Sequence, residues 1–187
     1  LTGLPNRLLF EEQVTKIINL DPQIHGLSAV LFLDLDDFKR INDNYGHDAG
    51  DLLLCSVARR LESCLRGSDF VARQKSTWSV ARHGGDEFTI LLNQLHSRAD
   101  AEHVAERIII ALAEPFQIGN RDAVIGVSIG IAFGGTEGKT SADAIREADT
   151  AMYFAKTSGR GQYCVFDPEM QAGATEKLTL ENDLRQA

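Results

Sequence analysis

Apolar residues recur along this chain of 187 residues in patterns that mark out most of its elements. Ser28 to Leu35 is a nearly continuous apolar run, which predicts a central strand buried on both faces. Leu54, Val57, Ala58, Leu61 and Leu65 recur at helical spacing and predict a long amphipathic helix. Ala101, Val104, Ala105, Ile108, Ile109 and Leu112 predict a second, which Pro115 stops. Ile145, Ala148, Met152 and Ala155 predict a third, opened by a Thr140/Asp143 capping box. Near the start, Phe10, Val14, Ile17 and Ile18 share a helical face; Pro5 suits that helix's first turn and Asp21-Pro22 closes it. Trp78 to Ala81 and Phe88 to Leu92 are β-prone runs flanking Gly84-Gly85, the pattern of a hairpin. Phe116-Gln117-Ile118 and Ala123 to Phe133 predict another hairpin, with Gly119-Asn120 near its turn and Gly126 and Gly130 interrupting the second run. Tyr163 to Phe166 reads as a short last strand, and Asp167-Pro168 as a boundary. The order predicts an α/β (α+β) sandwich, one sheet with helices packed on it.

Composition narrows the classes. A net charge of −8 argues against general nucleic-acid binding, yet leaves room for an anionic ligand held by a few local basic residues. Cys55, Cys64 and Cys164 are odd in number and lack metal-ligand spacing, so they read as reduced thiols of a cytoplasmic domain. The sequence has no signal peptide and no apolar run of about 18 residues. It starts on Leu1-Thr2-Gly3 without an initiator Met and is expected to belong to something longer. Any sensor or membrane anchor would then lie outside it.

The candidate chemistry sits at strand ends and turns. The buried run ends in Asp34, Asp36 and Asp37. A carboxylate there is costly without a cation or metal as partner, although an Asp in that place also caps a following helix, the role expected of Asp37. Asp86 and Glu87 follow the glycine pair; adjacent strand residues face opposite ways, so the two should not share a role. His47 lies in a polar loop and is read as a turn residue in preference to a metal ligand. Lys156 and Arg160 close the third helix, where they complement its dipole, contact phosphate, or do both. Val71-Ala72-Arg73 is repeated as Val80-Ala81-Arg82, which reads as a small insertion before the hairpin. If the Asp34 and Asp86 strands pair, two carboxylates able to hold Mg²⁺ meet Lys and Arg without a nucleophile triad. That combination points to phosphoryl or nucleotidyl transfer.

These residues carry a resemblance. Leu1-Thr2-Gly3-Leu4-Pro5-Asn6-Arg7, Asp34 to Lys39 with Asn42 and Gly46 to Asp51, Gly84-Gly85-Asp86-Glu87-Phe88, and Ala151 to Lys156 with Gly159-Arg160-Gly161 follow in the order and spacing of the GGDEF family. The chain therefore resembles the diguanylate cyclases, which make cyclic di-GMP from two GTP. The resemblance implies a nucleotide-cyclase or polymerase-palm-like fold with a mostly antiparallel sheet. It implies that Asp34, the backbone carbonyl of Leu35, and Asp86 bind Mg²⁺ (or Mn²⁺). Asp86 is then the base for the GTP 3′-hydroxyl, with Glu87 assisting. Asn42 and Asp51 read guanine, and a buried Asp51 would disfavour ATP. Lys39, Lys156 and Arg160 hold phosphates, and Gly84 and Gly85 let the turn approach the nucleotide. Each subunit holds one GTP, so turnover requires a symmetric homodimer.

Two features depart from the simplest member. Family members inhibited by their product carry Arg-x-x-Asp shortly before the signature; here Arg66 and Asp69 fit that pattern but lie nine residues too early. They are the candidate inhibitory site for cyclic di-GMP. The tail from Phe166 to Arg185 resembles the linker to a following EAL-type phosphodiesterase domain. The expected division is a cyclase domain over 1–167 and a linker helix over 168–187. Two principal readings follow: an active cyclase, or a catalytically silent GTP-binding module that controls an attached EAL phosphodiesterase. A third, a cyclic di-GMP receptor using Arg66 and Asp69, is weakened by the insertion.

Overall fold

A computed structural model describes residues 1–170 apart from 19, 21, 67–77, 120 and 135–138. Its elements are α1 (Arg7–Ile17), α2 (Pro22–His25), β1 (Leu27–Asp36), α3 (Phe38–Tyr45), α4 (His47–Arg66), β2 (Trp78–Gly84), β3 (Glu87–Leu95), α5 (Arg98–Ala113), β4 (Phe116–Ile118), β5 (Arg121–Ala123), β6 (Gly126–Phe133), α6 (Ser141–Thr157) and β7 (Tyr163–Val165). The main sheet has the order β2-β3-β1-β6-β7. Every pairing in it is antiparallel except β6 with β7, which is parallel. The α/β sandwich with a mostly antiparallel sheet is therefore the observed fold.

β1 lies at the sheet's centre, and its apolar residues are buried on both faces, as the uninterrupted run predicts. Leu31, Leu33 and Leu35 pack with α3, α4 and α5, while Val30 and Phe32 pack with α1 and α6. The α4 stripe is realised in full: Leu54, Val57, Ala58, Leu61 and Leu65 are all buried. Burying each of its larger side chains contributes roughly 1.5–3 kcal/mol.

Three local expectations change. α1 starts at Arg7 with Asn6 as its cap, whose Oδ1 accepts from Leu9 N at 3.1 Å, so Pro5 lies before the helix. Asn supplies the acceptor that Pro cannot. Ala123 to Phe133 does not form one hairpin arm. Residues 121–123 pair with β4 in a separate two-stranded sheet, and the chain then enters β6 beside β1. Asp37 holds the cap position of α3 but makes no capping bond, because its backbone is left-handed (φ 57°, ψ 27°). Of the repeated tripeptide, Val80-Ala81-Arg82 lies in β2, and Val71 to Arg73 lies outside the described residues.

Gly130 decides where α6 sits. A Cβ there would meet Ala148 O at 1.9 Å and Met152 N at 2.2 Å, so the helix backbone rests directly on β6. That close crossing carries the end of α6 towards the end of β1.

Candidate functional site

Asp34 is buried on the face of β1 that α1 and α6 cover. Its registered neighbours are Glu87 on β3 and Ser128 on β6, so the two carboxylates stand side by side across the ladder. Like charges placed this way repel. Asp86 lies in the β2–β3 turn, and its carbonyl accepts from Leu35 N at 3.4 Å, which sets it beside the β1 end. The strand pairing thus brings Asp34, Leu35, Asp86 and Glu87 together. Burial pushes the Asp34 carboxyl up; Lys156 opposes this, and Asp86 and Asp36 add to it. Glu87 is also pushed up, first by burial and then by Asp34, Asp149 and Asp86.

Lys156 Nζ lies 2.6 Å from Asp34 Oδ1. This is an ion pair, and that buried oxygen has no well-aligned hydrogen-bond donor. One ammonium set against Asp34, Asp86 and Glu87 leaves the cluster with excess negative charge. The donors are hard oxygens, the type that suits Mg²⁺ or Mn²⁺. Among the described residues no three acidic, His or Cys side chains form a ready cage. Mg²⁺ does not need one: it is usually bound by one or two carboxylates and completed by substrate phosphates. The residues present therefore fit it.

After α6 the chain turns through Gly159 (φ 140°), Arg160 (φ 60°) and Gly161 (φ 59°). The turn returns onto the β1 end. Gly161 N donates to Asp36 Oδ2 at 3.0 Å, and Arg160 Nη1 lies 3.4 Å from Asp37 Oδ2. Asp36 is buried and also accepts from Ser128 Oγ at 2.7 Å. Gly126 makes room for it, since a Cβ there would meet Asp36 Oδ2 at 2.8 Å. The sequence reading gave Asp36 no site role; its polar partners lie 92 and 125 positions away, beyond any local pattern.

Asn42 lies on α3 and Asp51 on α4, two helices that pack on each other. A Cβ at Gly50 would strike Asn42 Oδ1 at 2.0 Å, so the half-buried amide lies against the residue preceding Asp51. Asp51 and Lys39 are exposed; the condition that Asp51 be buried is not met by the chain itself. His47 is the exposed first residue of α4. A cavity of about 250 Å³ opens beside Asp36, Asp37 and Arg40, and one of about 330 Å³ beside Glu87, His83 and Phe32.

The signature turn is held by a residue that sequence reasoning missed. Arg82 donates from Nε and Nη2 to Gly85 O at 2.9 and 2.7 Å. Its backbone N donates to Pro5 O at 3.1 Å, tying the N-terminal motif to the same strand. An Arg shortly before a tight turn was the available signal. Gly85 needs its glycine for φ 50°, whereas a Cβ at Gly84 or Gly85 would meet nothing within 4 Å. Of the candidate inhibitory pair, Asp69 and the side chain of Arg66 lie outside the described residues.

Comparison with known proteins gives a consistent picture. The family described as "Diguanylate cyclase, GGDEF domain" matches residues 1–162. The bifunctional diguanylate cyclase/cyclic di-GMP phosphodiesterase MucR of Pseudomonas aeruginosa is 42% identical over 187 residues, 100% of this chain and 26% of that protein. The cyclic di-GMP phosphodiesterase PdeR of Escherichia coli is also 42% identical, again over 100% of this chain and 26% of its own length. The chain thus spans about a quarter of these curated relatives. The solved GGDEF domain of TpbB (YfiN) from Pseudomonas aeruginosa superposes with a TM-score of 0.82 at 36% identity, covering 93% of this chain and 96% of that one.

Proposed function

Given that the chain belongs to the GGDEF family of diguanylate cyclase domains, we propose that it condenses two GTP into cyclic di-GMP with release of two pyrophosphates. The observation that carries this reading is the meeting of Asp34, Asp86 and Glu87 beside Lys156 at the paired ends of β1 and β3. Each new bond joins a GTP 3′-oxygen to the α-phosphorus of the other GTP. The bond from that phosphorus to its pyrophosphate breaks, and Asp86 takes the 3′-hydroxyl proton. Asp34, Asp86 and the Leu35 carbonyl would hold Mg²⁺ or Mn²⁺, with Glu87 assisting; bound there, the ion would polarise the phosphate and neutralise developing charge.

The chain's other residues position the nucleotide. Asp51 accepts from guanine N1–H and the exocyclic amine, and Asn42 pairs with ring acceptors. Adenine lacks that donor pair, so the preference for guanine rests on Asp51's acceptors. Lys39, Lys156 and Arg160 hold the phosphate tail. The open sides of Gly84 and Gly85 leave the turn free to approach the nucleotide. Each subunit holds one GTP, so two subunits face each other to close the ring. Product binding at Arg66 and Asp69 would inhibit. In this reading the cyclase domain ends near residue 167; the bond from Phe166 N to Ile131 O of the sheet at 2.8 Å supports counting Phe166 within it. Residues 168–187 lead towards an EAL domain in a longer protein. No helix among the described residues is long and apolar enough to cross a membrane, and the domain acts in the cytoplasm, where GTP is available.

A second reading is favoured by the match of this whole chain to about a quarter of PdeR, a protein named as a phosphodiesterase. In it the domain binds GTP without turnover and regulates an attached EAL domain. Incubation of the concentrated protein with GTP and Mg²⁺, with nucleotides resolved by chromatography, separates the two. Cyclic di-GMP that disappears in Asp86→Ala supports the cyclase. Tight GTP binding without product supports the regulatory module, and no GTP binding removes both.

A further inference from the structure

The last turn of α6 and the turn that follows it are fastened to the acid end of β1 at three points: Lys156 to Asp34, Gly161 N–H to Asp36, and Arg160 to Asp37. The three acids differ in what else they do. Asp34 belongs to the carboxylate cluster. Asp36 is buried between Ser128 and Gly161. Asp37 stands where a carboxylate would cap α3, yet makes no capping bond. Its side chain meets Arg160 instead, and both residues of this ion pair have left-handed backbone (φ 57° and φ 60°). That conformation is costly for a side-chain-bearing residue, and Asp is among those that tolerate it best.

We propose that Asp37 sets the affinity of the site for the phosphate tail of its nucleotide, by holding the guanidinium of Arg160 until phosphate displaces it. This rests on the reading of the pocket as a GTP site. Arg160 meets Asp37 through one nitrogen, Nη1, at 3.4 Å; to turn its two-donor fork onto a phosphate the guanidinium must leave the carboxylate, so the two anions compete for it. The pair is half-exposed, with side chains 54% and 43% accessible, so it is screened and can be broken by a more highly charged anion. Exposed pairs of this kind correspond to about a two- to fivefold change in a binding constant. Asp37 thereby tunes phosphate affinity from a position outside the metal and base-reading residues.

The test is titration calorimetry of the purified chain with 3′-deoxy-GTP and Mg²⁺, a ligand without the attacking hydroxyl. Asp37→Asn keeps a residue suited to left-handed backbone and removes only the charge; Asp37→Gly removes charge and strain together, and is the second variant if the first folds poorly. Either should bind about two- to fivefold more tightly than the parent, with the gain lost at high salt. In an Arg160→Ala background the same change should give no gain. GMP, which lacks the outer phosphates, should bind all forms equally. Unchanged or weaker binding in both Asp37 variants overturns the proposal, and so does an equal gain without Arg160. If the parent chain binds neither GTP nor its deoxy analogue, the assignment of the pocket falls, and this inference falls with it.

Discussion

Lys156 Nζ and Asp34 Oδ1 lie 2.6 Å apart, joining the last turn of α6 to the buried end of the central strand. The lysine is the charge partner of a buried carboxylate and, in the proposed function, the cation that receives a phosphate. Lys156→Met should therefore do two things. It should leave Asp34 without its charge partner and lower the melting temperature. The loss should stay below the ~3–5 kcal/mol typical of breaking a fully buried pair, since the Lys156 side chain is 32% accessible. It should also weaken GTP binding by about tenfold or more, in line with loss of a charge-assisted phosphate contact. Thermal unfolding and GTP titration on one preparation check both; unchanged GTP affinity would remove Lys156 from the phosphate site.

Glu87 gives a pH prediction. Its folded carboxyl titrates above the ordinary value of 4.5, raised by burial and by Asp34, Asp149 and Asp86. The unfolded chain therefore releases this proton at lower pH than the folded protein does. The charged form costs stability, in full above the raised folded value, and the cost fades as pH falls through that value. Glu87→Gln should accordingly stabilise the metal-free protein most at neutral and higher pH, with a gain that shrinks towards pH 4–5, near ordinary carboxylate values. Mg²⁺ or Mn²⁺ should raise the melting temperature of the parent at neutral pH, and raise that of the variant less. Melting curves from acid to neutral pH, with and without the ion, decide it. A variant less stable than its parent at neutral pH would contradict the electrostatic account.

Much of this arrangement could be read from local pattern. The apolar run at 28–35, the α4 stripe and the glycine-pair hairpin each express a period or a turn requirement that one stretch of sequence holds entire. The Thr140/Asp143 capping box is present in both halves, with Asp143 N donating to Thr140 Oγ1 at 3.1 Å and Thr140 N to Asp143 Oδ2 at 3.2 Å. At the start of α5 the same spacing recurs, with Ser97 N donating to Asp100 Oδ2 at 2.7 Å, a half of the device that the sequence also carries. The left-handed Asp37 could not be read locally, because capping and Arg160 pairing are open to the same residue and only the fold selects between them. The division of residues 123–133 between two sheets was illegible for a related reason. The glycines at 126 and 130 interrupt an apolar run in sequence, but their purpose is to admit Asp36 and α6, which arrive from distant parts of the chain. Of the candidate site, the strand pairing assembles the carboxylates as expected, whereas Arg82 and Asp36 emerge only from contacts in space.

Gly130 tests whether the α6 crossing controls the site. A methyl group at this position overlaps backbone at 1.9 and 2.2 Å, where no rotamer change gives relief. Gly130→Ala must lift α6 from β6 and should cost at least the ~1–3 kcal/mol typical of overpacking. Because Lys156 and Arg160 ride on the end of that helix, GTP affinity should fall even where the protein remains folded. The matching control is Ala148→Gly, which leaves the β6 contact in place; it loses about 1 kcal/mol of helix propensity and, because Ala148 is buried in the core, one buried methyl group as well. A Gly130→Ala protein with parental stability and affinity would refute the role given to this crossing.

Arg82 tests whether the signature turn needs an external brace. Both of its side-chain bonds end on one carbonyl, that of Gly85, immediately before Asp86. Charge-assisted bonds of this type contribute about 1.5–3 kcal/mol when well shielded, and less at a half-exposed site such as this. Arg82→Ala should therefore lower stability modestly. Its larger effect should be on turnover, because a turn that samples several conformers places Asp86 correctly for only part of the time. The expected signature is a fall in kcat with little change in KM for GTP, since Arg82 bonds the turn and Pro5 and not Asn42 or Asp51, the residues proposed to read guanine. Arg82→Lys retains charge but not the two-donor fork, so it should recover stability more fully than kcat. Steady-state kinetics and melting temperature for both variants separate the outcomes. If Arg82→Lys restores kcat completely, charge alone suffices and the fork is not the brace.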